Sequence, residues 1–221
     1  GHVMCAEAPF PSVDADAPQR LLARCPDYAQ TPLHHHHVPG VNGDVYVKDE
    51  RDRMGLGSFK ALGAAYVIAH LAQERSLVND VFVTASAGNH GLSVAAGAKI
   101  FGSKAVVYLA QTVPENFAEK LRSHGAEVRR EGNDYEASMA AAAAAAQDNK
   151  WILLSDSSWP GYTDLPHRLM EGYLVMAAET VKQIPEVPTH IFLQAGVGGL
   201  AASSAAYFRS AWGNKPLIYV V

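Results

Sequence analysis

Lys60 is the residue whose surroundings point most directly to chemistry. It opens a helical stretch predicted over Phe59–Arg75. Spacings of four, seven, eight and eleven put it on one face with Ala64, Val67, Ile68 and Leu71. The opposite face carries His70, Gln73 and Glu74. A lysine on an apolar stripe invites burial, and burial disfavours the ammonium. The neutral amine is the form that condenses with a carbonyl. The competing reading is a stem that runs along the helix end and keeps its charge in water.

Three strand ends offer partners. Val81-Phe82-Val83-Thr84 runs into Ala85-Ser86-Ala87-Gly88-Asn89-His90-Gly91, a strand, a small-residue loop and a helix start. Small residues let a ligand approach the backbone, and free N–H groups there favour an anion. Asn89 could equally be a helix cap. His190–Gln194 is followed by Ala195-Gly196-Val197-Gly198-Gly199-Leu200, a glycine turn before an alanine-rich helix, which suits a phosphate. Gly196, Gly198 and Ala201 also satisfy the dinucleotide pattern G-x-G-x-x-A, whose acidic partner about 20 positions on would fall beyond Val221. Tight helix–strand packing asks for the same glycines. Trp151–Leu154 ends in Ser155-Asp156-Ser157-Ser158-Trp159, where a carboxylate is either a turn cap or a working group.

Two clusters point away from a site. His34–His37 lies in an irregular stretch with no carboxylate or cysteine at zinc-ligand spacing, so it reads as an exposed loop and no metal is expected. Lys48–Arg53 mixes charge signs and reads as solvated or strand-end ion pairs. No P-loop, H-E-x-x-H or G-x-S-x-G occurs.

The elements that must position these groups follow from the pattern. Six prolines in the first forty residues argue against long helices there. Short β-branched runs then read as strands: Val45–Lys48, Val81–Thr84, Ala105–Leu109, Glu127–Arg130, Trp151–Leu154, His190–Gln194 and Leu217–Val221. Helices are predicted over Phe59–Arg75, Gly91–Phe101, Glu115–Ser123, Asp134–Asp148, Pro166–Gln183 and Gly199–Trp212. Asn133 with Glu136 reads as the cap of the fourth, whose alanine run suits a closely packed helix. Such alternation makes an α/β fold with parallel sheets, and ligands in such folds bind beyond the carboxyl ends of strands.

Composition narrows the function classes. With 48% apolar and 18% charged residues in 221, the chain can build a core. A net charge of −4 argues against a nucleic-acid partner, and Cys5 and Cys25 make no disulfide framework. Neither a membrane span nor a signal peptide is evident, so a cytoplasmic protein is expected. The leading Gly1-His2 reads as a cloning remnant.

In order along the chain, a lysine after a strand, S-x-G-N-H and a late glycine turn resemble the pyridoxal-phosphate enzymes of fold type II, the tryptophan-synthase β type. Lys48-Asp49-Glu50, Arg53–Lys60, Ser155–Tyr162 and Gln194–Gly199 are similar to the diaminopropionate ammonia-lyase family, over most of residues 26–221. The W-x-G-Y segment after Asp156 separates that family from serine and threonine dehydratases. The resemblance implies two three-layer αβα domains with mostly parallel sheets. Residues 1–60 would begin a large domain, 61–160 form a small one, and 161–221 return to the large one. Leu217–Val221 reads as a buried parallel strand, so the large domain is expected to be incomplete at the C-terminus.

The same resemblance implies pyridoxal 5'-phosphate as cofactor, held covalently by Lys60. Asn89 would contact its ring hydroxyl, and Gly196, Val197, Gly198, Gly199 and Leu200 its phosphate. Ser86, Ala87, Gly88, Asn89 and His90 would hold the carboxylate of a small amino-acid substrate, and Asp156 or Lys60 would take the α-proton. Elimination of 2,3-diaminopropionate to pyruvate and ammonia in a homodimer is the implied activity. One departure is Ala87, where family members carry an aspartate associated with the D-isomer, so the L-isomer is expected to be favoured. A dehydratase-like lyase, an inactive piece of such an enzyme, and an oxidoreductase using the glycine turn are the alternatives.

Overall fold

The computed structural model describes residues 9–221; Gly1-His2 and Cys5 lie outside them. A short helix, α1 (Asp16–Leu22), precedes an antiparallel hairpin of β1 (Leu33–His36) and β2 (Val45–Lys48). The histidine run is therefore a strand and not the expected loop. Its side chains are exposed, but Val45, Tyr46 and Val47 supply the pairing ladder, and His35 stacks on Tyr46 with ring centres 5.0 Å apart. A single 3-10 turn at Arg53–Gly55 leads into α2 (Lys60–Glu74).

The next segment is a βα series. It runs β3 (Val81–Ala85), α3 (Asn89–Ile100), β4 (Lys104–Leu109), α4 (Glu115–Ser123), β5 (Ala126–Arg130), α5 (Tyr135–Asn149) and β6 (Ile152–Leu153). Its four strands form one parallel sheet in the order β5-β4-β3-β6. Strand alternation divides the core. Phe82, Ala105 and Val107 pack with Val67 and Ile68 of α2, Leu92 and Val94 of α3 and Leu121 of α4. Val83, Val106 and Tyr108 face Ala142 and Ala146 of α5, so one stripe of the alanine run packs tightly. The cap of α5 is Asp134, whose carboxylate accepts from the Ala137 N–H at 2.8 Å, and not Asn133 as the spacing suggested. Asp134 is the residue with extended backbone next to the first helical turn, which is the geometry a cap needs.

The remaining elements are α6 (Asp164–Gln183), β7 (His190–Leu193), α7 (Gly199–Trp212) and β8 (Leu217–Val220). A single apolar stripe was expected on α2, but it is buried on two sides. Ala64, Val67 and Ile68 face the sheet layer, while Leu62 and Tyr66 pack on Tyr173, Val175 and Met176 of α6 and Leu200 of α7. The crossing of α2 with α6 is close because both carry glycine there. A Cβ on Gly172 would lie 2.5 Å from the Leu62 carbonyl oxygen, and one on Gly63 would lie 2.6 Å from the Tyr173 ring. β7 and β8 pair in parallel, with Leu193, Ile191 and Ile218 under Ala177, Ala201 and Phe208.

Leu217–Val220 is parallel as expected but not buried. Leu217, Tyr219 and Val220 are exposed, as are Phe192 and Val221, because helices cover only one face of the pair among the described residues. Phe192 stacks on Tyr219 across that open face. The fold is α/β, and no described helix is long and apolar enough to cross a membrane.

Candidate active site

The site is built at the start of α2. Residues 53–60 approach it through a strained turn, in which Met54 has a left-handed φ of 51° between the fully buried Arg53 and Gly55. The Lys60 backbone N–H donates to Ser58 Oγ at 3.2 Å. Arg53 anchors the turn from below. Its guanidinium donates to both oxygens of Glu50 and of Glu179, to Thr31 Oγ1 and to the Ala29 carbonyl, at 2.7–3.0 Å. Lys48 Nζ donates to Glu179 Oε2 at 2.7 Å. These charges are buried and balanced, two against two, so the solvated reading of Lys48–Arg53 holds only for the exposed Arg51 with Asp49. A buried guanidinium is tolerated here because every donor finds an acceptor. Burial pushes the Glu179 carboxyl up, but the bonds from Arg53 and Lys48 outweigh it and hold it below its usual range.

Lys60 neither snorkels away nor disappears into the core. Its Nζ donates to Asp156 Oδ2 at 2.6 Å, with the two side chains 20% and 16% exposed. The amine lies 5.4 Å from the Phe59 ring centre and 5.8 Å from that of Tyr173, and the two rings meet edge to face. Burial pushes the Asp156 carboxyl up; His90 and Lys60 reverse this, and it sits below the ordinary carboxylate range. The loop that carries Asp156 is stapled by Tyr162, whose hydroxyl donates to the Leu153 carbonyl at 2.8 Å and accepts from the Ser155 N–H at 2.9 Å. Tyr162 in turn stacks on Trp159.

The loop Ser86–His90 ends at the start of α3, beside this pair. Gly88 occupies the cap position, and Asn89 is the first helical residue, exposed and without a side-chain capping bond. Its carboxamide is thus free of the cap role. Ala87 is partly buried, and Ser86 Oγ accepts from the Gly88 N–H. The glycine after this loop is obligatory, since a Cβ on Gly91 would overlap the Ser86 carbonyl oxygen. The His90 side chain turns inward, away from the loop surface. It is buried, and its Nε2 bonds the Leu154 carbonyl at 2.8 Å, tying α3 to the end of β6. Burial holds its imidazole below the ordinary value. Only its backbone remains available to a ligand.

Gly196–Leu200 forms the fourth part. Gly198 adopts φ 92°, a left-handed cap that glycine allows, and no side chain caps α7. Gly196 and Val197 are exposed, and a Cβ on Gly196 or Gly198 would meet nothing within 4 Å. An uncapped helix N-terminus before open space fits a phosphate. Leu200, by contrast, buries its side chain against Tyr173 and Leu62, so only its N–H faces the turn. A Cβ on Gly199 would sit 3.7 Å from the Tyr173 ring, which puts Tyr173 between the glycine turn and Lys60. A primary amine beside a carboxylate, with free helix-terminal N–H groups across one aromatic ring, fits a phosphorylated aldehyde.

The structure therefore brings Lys60 and Asp156 into contact and sets His90 and the glycine turn around them. Sequence patterning missed Tyr173 and the Arg53–Glu179 network, and it marked Tyr162 only as part of the W-x-G-Y segment, not as the staple of the Asp156 loop. Tyr173 lies in the apolar stripe of α6 and reads as core; nothing in its spacing reveals that its hydroxyl is unpaired. A shallow cleft between α1 and α2, lined by Arg20, Tyr66 and His70, includes none of the site residues. Among the described residues, no group of three or more histidine, cysteine or acidic side chains is placed to hold a metal.

Residues 25–221 match the family model described as pyridoxal-phosphate dependent enzyme. The diaminopropionate ammonia-lyase of Salmonella typhimurium is 38% identical over 226 residues, covering 90% of this chain and 56% of that protein. Its counterpart from Escherichia coli K12 is 33% identical over 196 residues, covering 80% and 49%. Among solved structures, Escherichia coli diaminopropionate ammonia lyase with an aminoacrylate-PLP azomethine reaction intermediate superposes with a TM-score of 0.89 at 30% identity, covering 96% of this chain and 59% of that one. The chain spans about half the length of the curated relatives it matches.

Proposed function

The chain belongs to the pyridoxal-phosphate dependent enzymes, and on that premise we propose that the protein eliminates ammonia from 2,3-diaminopropionate to yield pyruvate. The observation that carries this reading is the 2.6 Å contact of Lys60 with Asp156 beside the uncapped glycine turn. The similarity to two diaminopropionate ammonia-lyases supports the substrate. When bound, pyridoxal phosphate supplies an electron sink for the charge left on the substrate α-carbon.

Each residue has a defined task. Lys60 holds the cofactor through Nζ. The N–H groups of Gly196–Leu200 take its phosphate, and Asn89 meets its ring hydroxyl. The backbone N–H groups of Ser86–His90 orient the substrate carboxylate. Asp156, kept ionised by its neighbours, accepts the α-proton, and Lys60 is the second group able to do so. The β-amino group leaves as ammonia; addition of water to the remaining carbon skeleton releases pyruvate and a second ammonia. With Ala87 in place of a second carboxylate, the L-isomer is favoured. Of the described residues, we assign those up to 60 and 161–221 to one domain and 61–160 to another. A homodimer follows from the family resemblance alone, and we propose a cytoplasmic setting for it.

The test is pyruvate release, assayed with pyridoxal phosphate on L- and D-2,3-diaminopropionate and on L-serine. The expected result is turnover of the L-isomer well above the other two. Equal rates on both isomers would remove the role given to Ala87, and a preference for serine would make the protein a dehydratase. Visible absorbance without turnover of any of them would mark a cofactor-binding but inactive chain.

A further inference from the structure

Four buried side-chain polar atoms have no hydrogen-bond partner among the described residues, and two of them, His90 Nδ1 and the Tyr173 hydroxyl, belong to side chains beside the Lys60–Asp156 pair; the Tyr173 ring centre lies 5.8 Å from Lys60 Nζ. An unpaired buried hydroxyl is costly and calls for a reason. Asp156 presents the complementary need. Its present donor is the Lys60 ammonium, and a lysine that turns its amine to a cofactor leaves that carboxylate. We propose that Tyr173 is a positioning residue whose phenolic O–H takes over Asp156 when Lys60 departs. No proton is transferred; one donor replaces another. This rests on Lys60 being the cofactor lysine.

Elimination among the neighbours leads to the same residue. The titratable groups facing Asp156 are Lys60 from α2, His90 from α3, Tyr135 from α5, Tyr162 from its own loop and Tyr173 from α6. His90 Nε2 faces a carbonyl oxygen, which can only accept, so Nε2 carries the hydrogen and the free Nδ1 is an acceptor. Tyr162 already donates to Leu153. Tyr135 is 46% exposed and interacts with Ser157. Tyr173 is 2% exposed, and burial together with the Asp156 charge keeps its phenol protonated. It is the one buried donor of the five with nothing to donate to.

The ring itself cannot drift. It is held edge to face by Phe59 and fills the space left by Gly63, whose Cβ would fall 3.0 Å from the carbon that bears the hydroxyl. Gly63 lies one turn beyond Lys60, so the hydroxyl-bearing carbon packs against the first turn of α2, the turn that Lys60 opens.

Thermal unfolding of the cofactor-free protein tests this without any turnover. Tyr173→Phe removes an unpaired hydroxyl, so its midpoint should equal or exceed that of the wild type. In a Lys60→Ala background the hydroxyl has taken up Asp156, and the same change should lower the midpoint by about 2–4 °C. An equal effect in both backgrounds overturns the proposal. With pyridoxal phosphate bound, Tyr173→Phe should retain the cofactor absorbance while the acid limb of kcat/KM moves to higher pH, since Asp156 then lacks a donor to its charged form. An unmoved limb also overturns it. A protein that gains no visible absorbance with the cofactor refutes the cofactor reading instead, and the thermal comparison then decides the Tyr173 coupling alone.

Discussion

Lys60 and Asp156 touch, and the two are separable by what each loses. A Lys60→Ala protein should leave the absorbance of pyridoxal phosphate that of the free aldehyde, because no amine remains to bind it covalently. Asp156→Asn should retain the wild-type absorbance while kcat falls roughly 10²–10⁴-fold, the usual weight of a positioned base. Absorbance titration beside a pyruvate assay checks both, and an Asp156→Asn protein of full activity would assign proton removal elsewhere. The sequence marked both only as candidates: Lys60 by its place at the head of an apolar helix, with a snorkelling stem as the other reading, and Asp156 by its place after an apolar strand, with a turn cap as the other. Their contact was not legible, because ninety-six residues separate them and neither carries a local mark of the other. Tyr173 was illegible for a different reason. An aromatic residue at helical spacing predicts burial, and burial is what it shows; the unpaired hydroxyl depends on which atoms surround it.

The site depends, at the scale of elements, on the crossing of α2 with α6. Gly172 lets the two backbones approach, with Lys60 on one helix and Tyr173 on the other. The atom that a new Cβ would meet is the Leu62 carbonyl oxygen, a backbone atom that cannot swing away. Gly172→Ala should therefore force the helices apart, cost about 1–3 kcal/mol of stability and weaken cofactor binding along with it. Denaturant unfolding with and without pyridoxal phosphate measures the two effects. Seven strands and six helices were predicted from period and punctuation, and each has a counterpart in the structure. The misses are short elements, α1 and β1, and both lie where prolines or repeated histidines hide the period. β1 exists because β2 pairs with it, which is a tertiary cause.

For the whole molecule, buried ionisable groups set the acid limit of stability. The His90 imidazole is held below its ordinary value by burial, so the unfolded chain binds its proton more readily. Stability should begin to fall as pH drops below about 6.5, the unfolded histidine value. Glu179 and Asp156 are held below the usual carboxylate range, so their contribution is present above about pH 4 and is lost as pH falls through their depressed values. Lys48 acts in the same sense in another window: burial lowers its amine, so the penalty on its charged form lifts as pH rises through the alkaline range. Unfolding midpoints between pH 3 and 8 should show two steps, and His90→Asn, which retains a donor for the Leu154 carbonyl, should remove the upper one. A single carboxylate step in the wild-type protein would contradict the buried neutral histidine. The sequence by itself determined the α/β alternation, the three strand-end loops and the lysine, because periodicity, glycine and small residues act over a few neighbouring positions. Only the tertiary structure decided that Arg53 and Glu179 are buried together, that His90 turns inward, that Leu217–Val220 leaves one face open, and that Lys60 meets Asp156 beside the Tyr173 ring. Those outcomes depend on which distant element packs against each side chain, and contacts across helices and sheets leave no period in the chain.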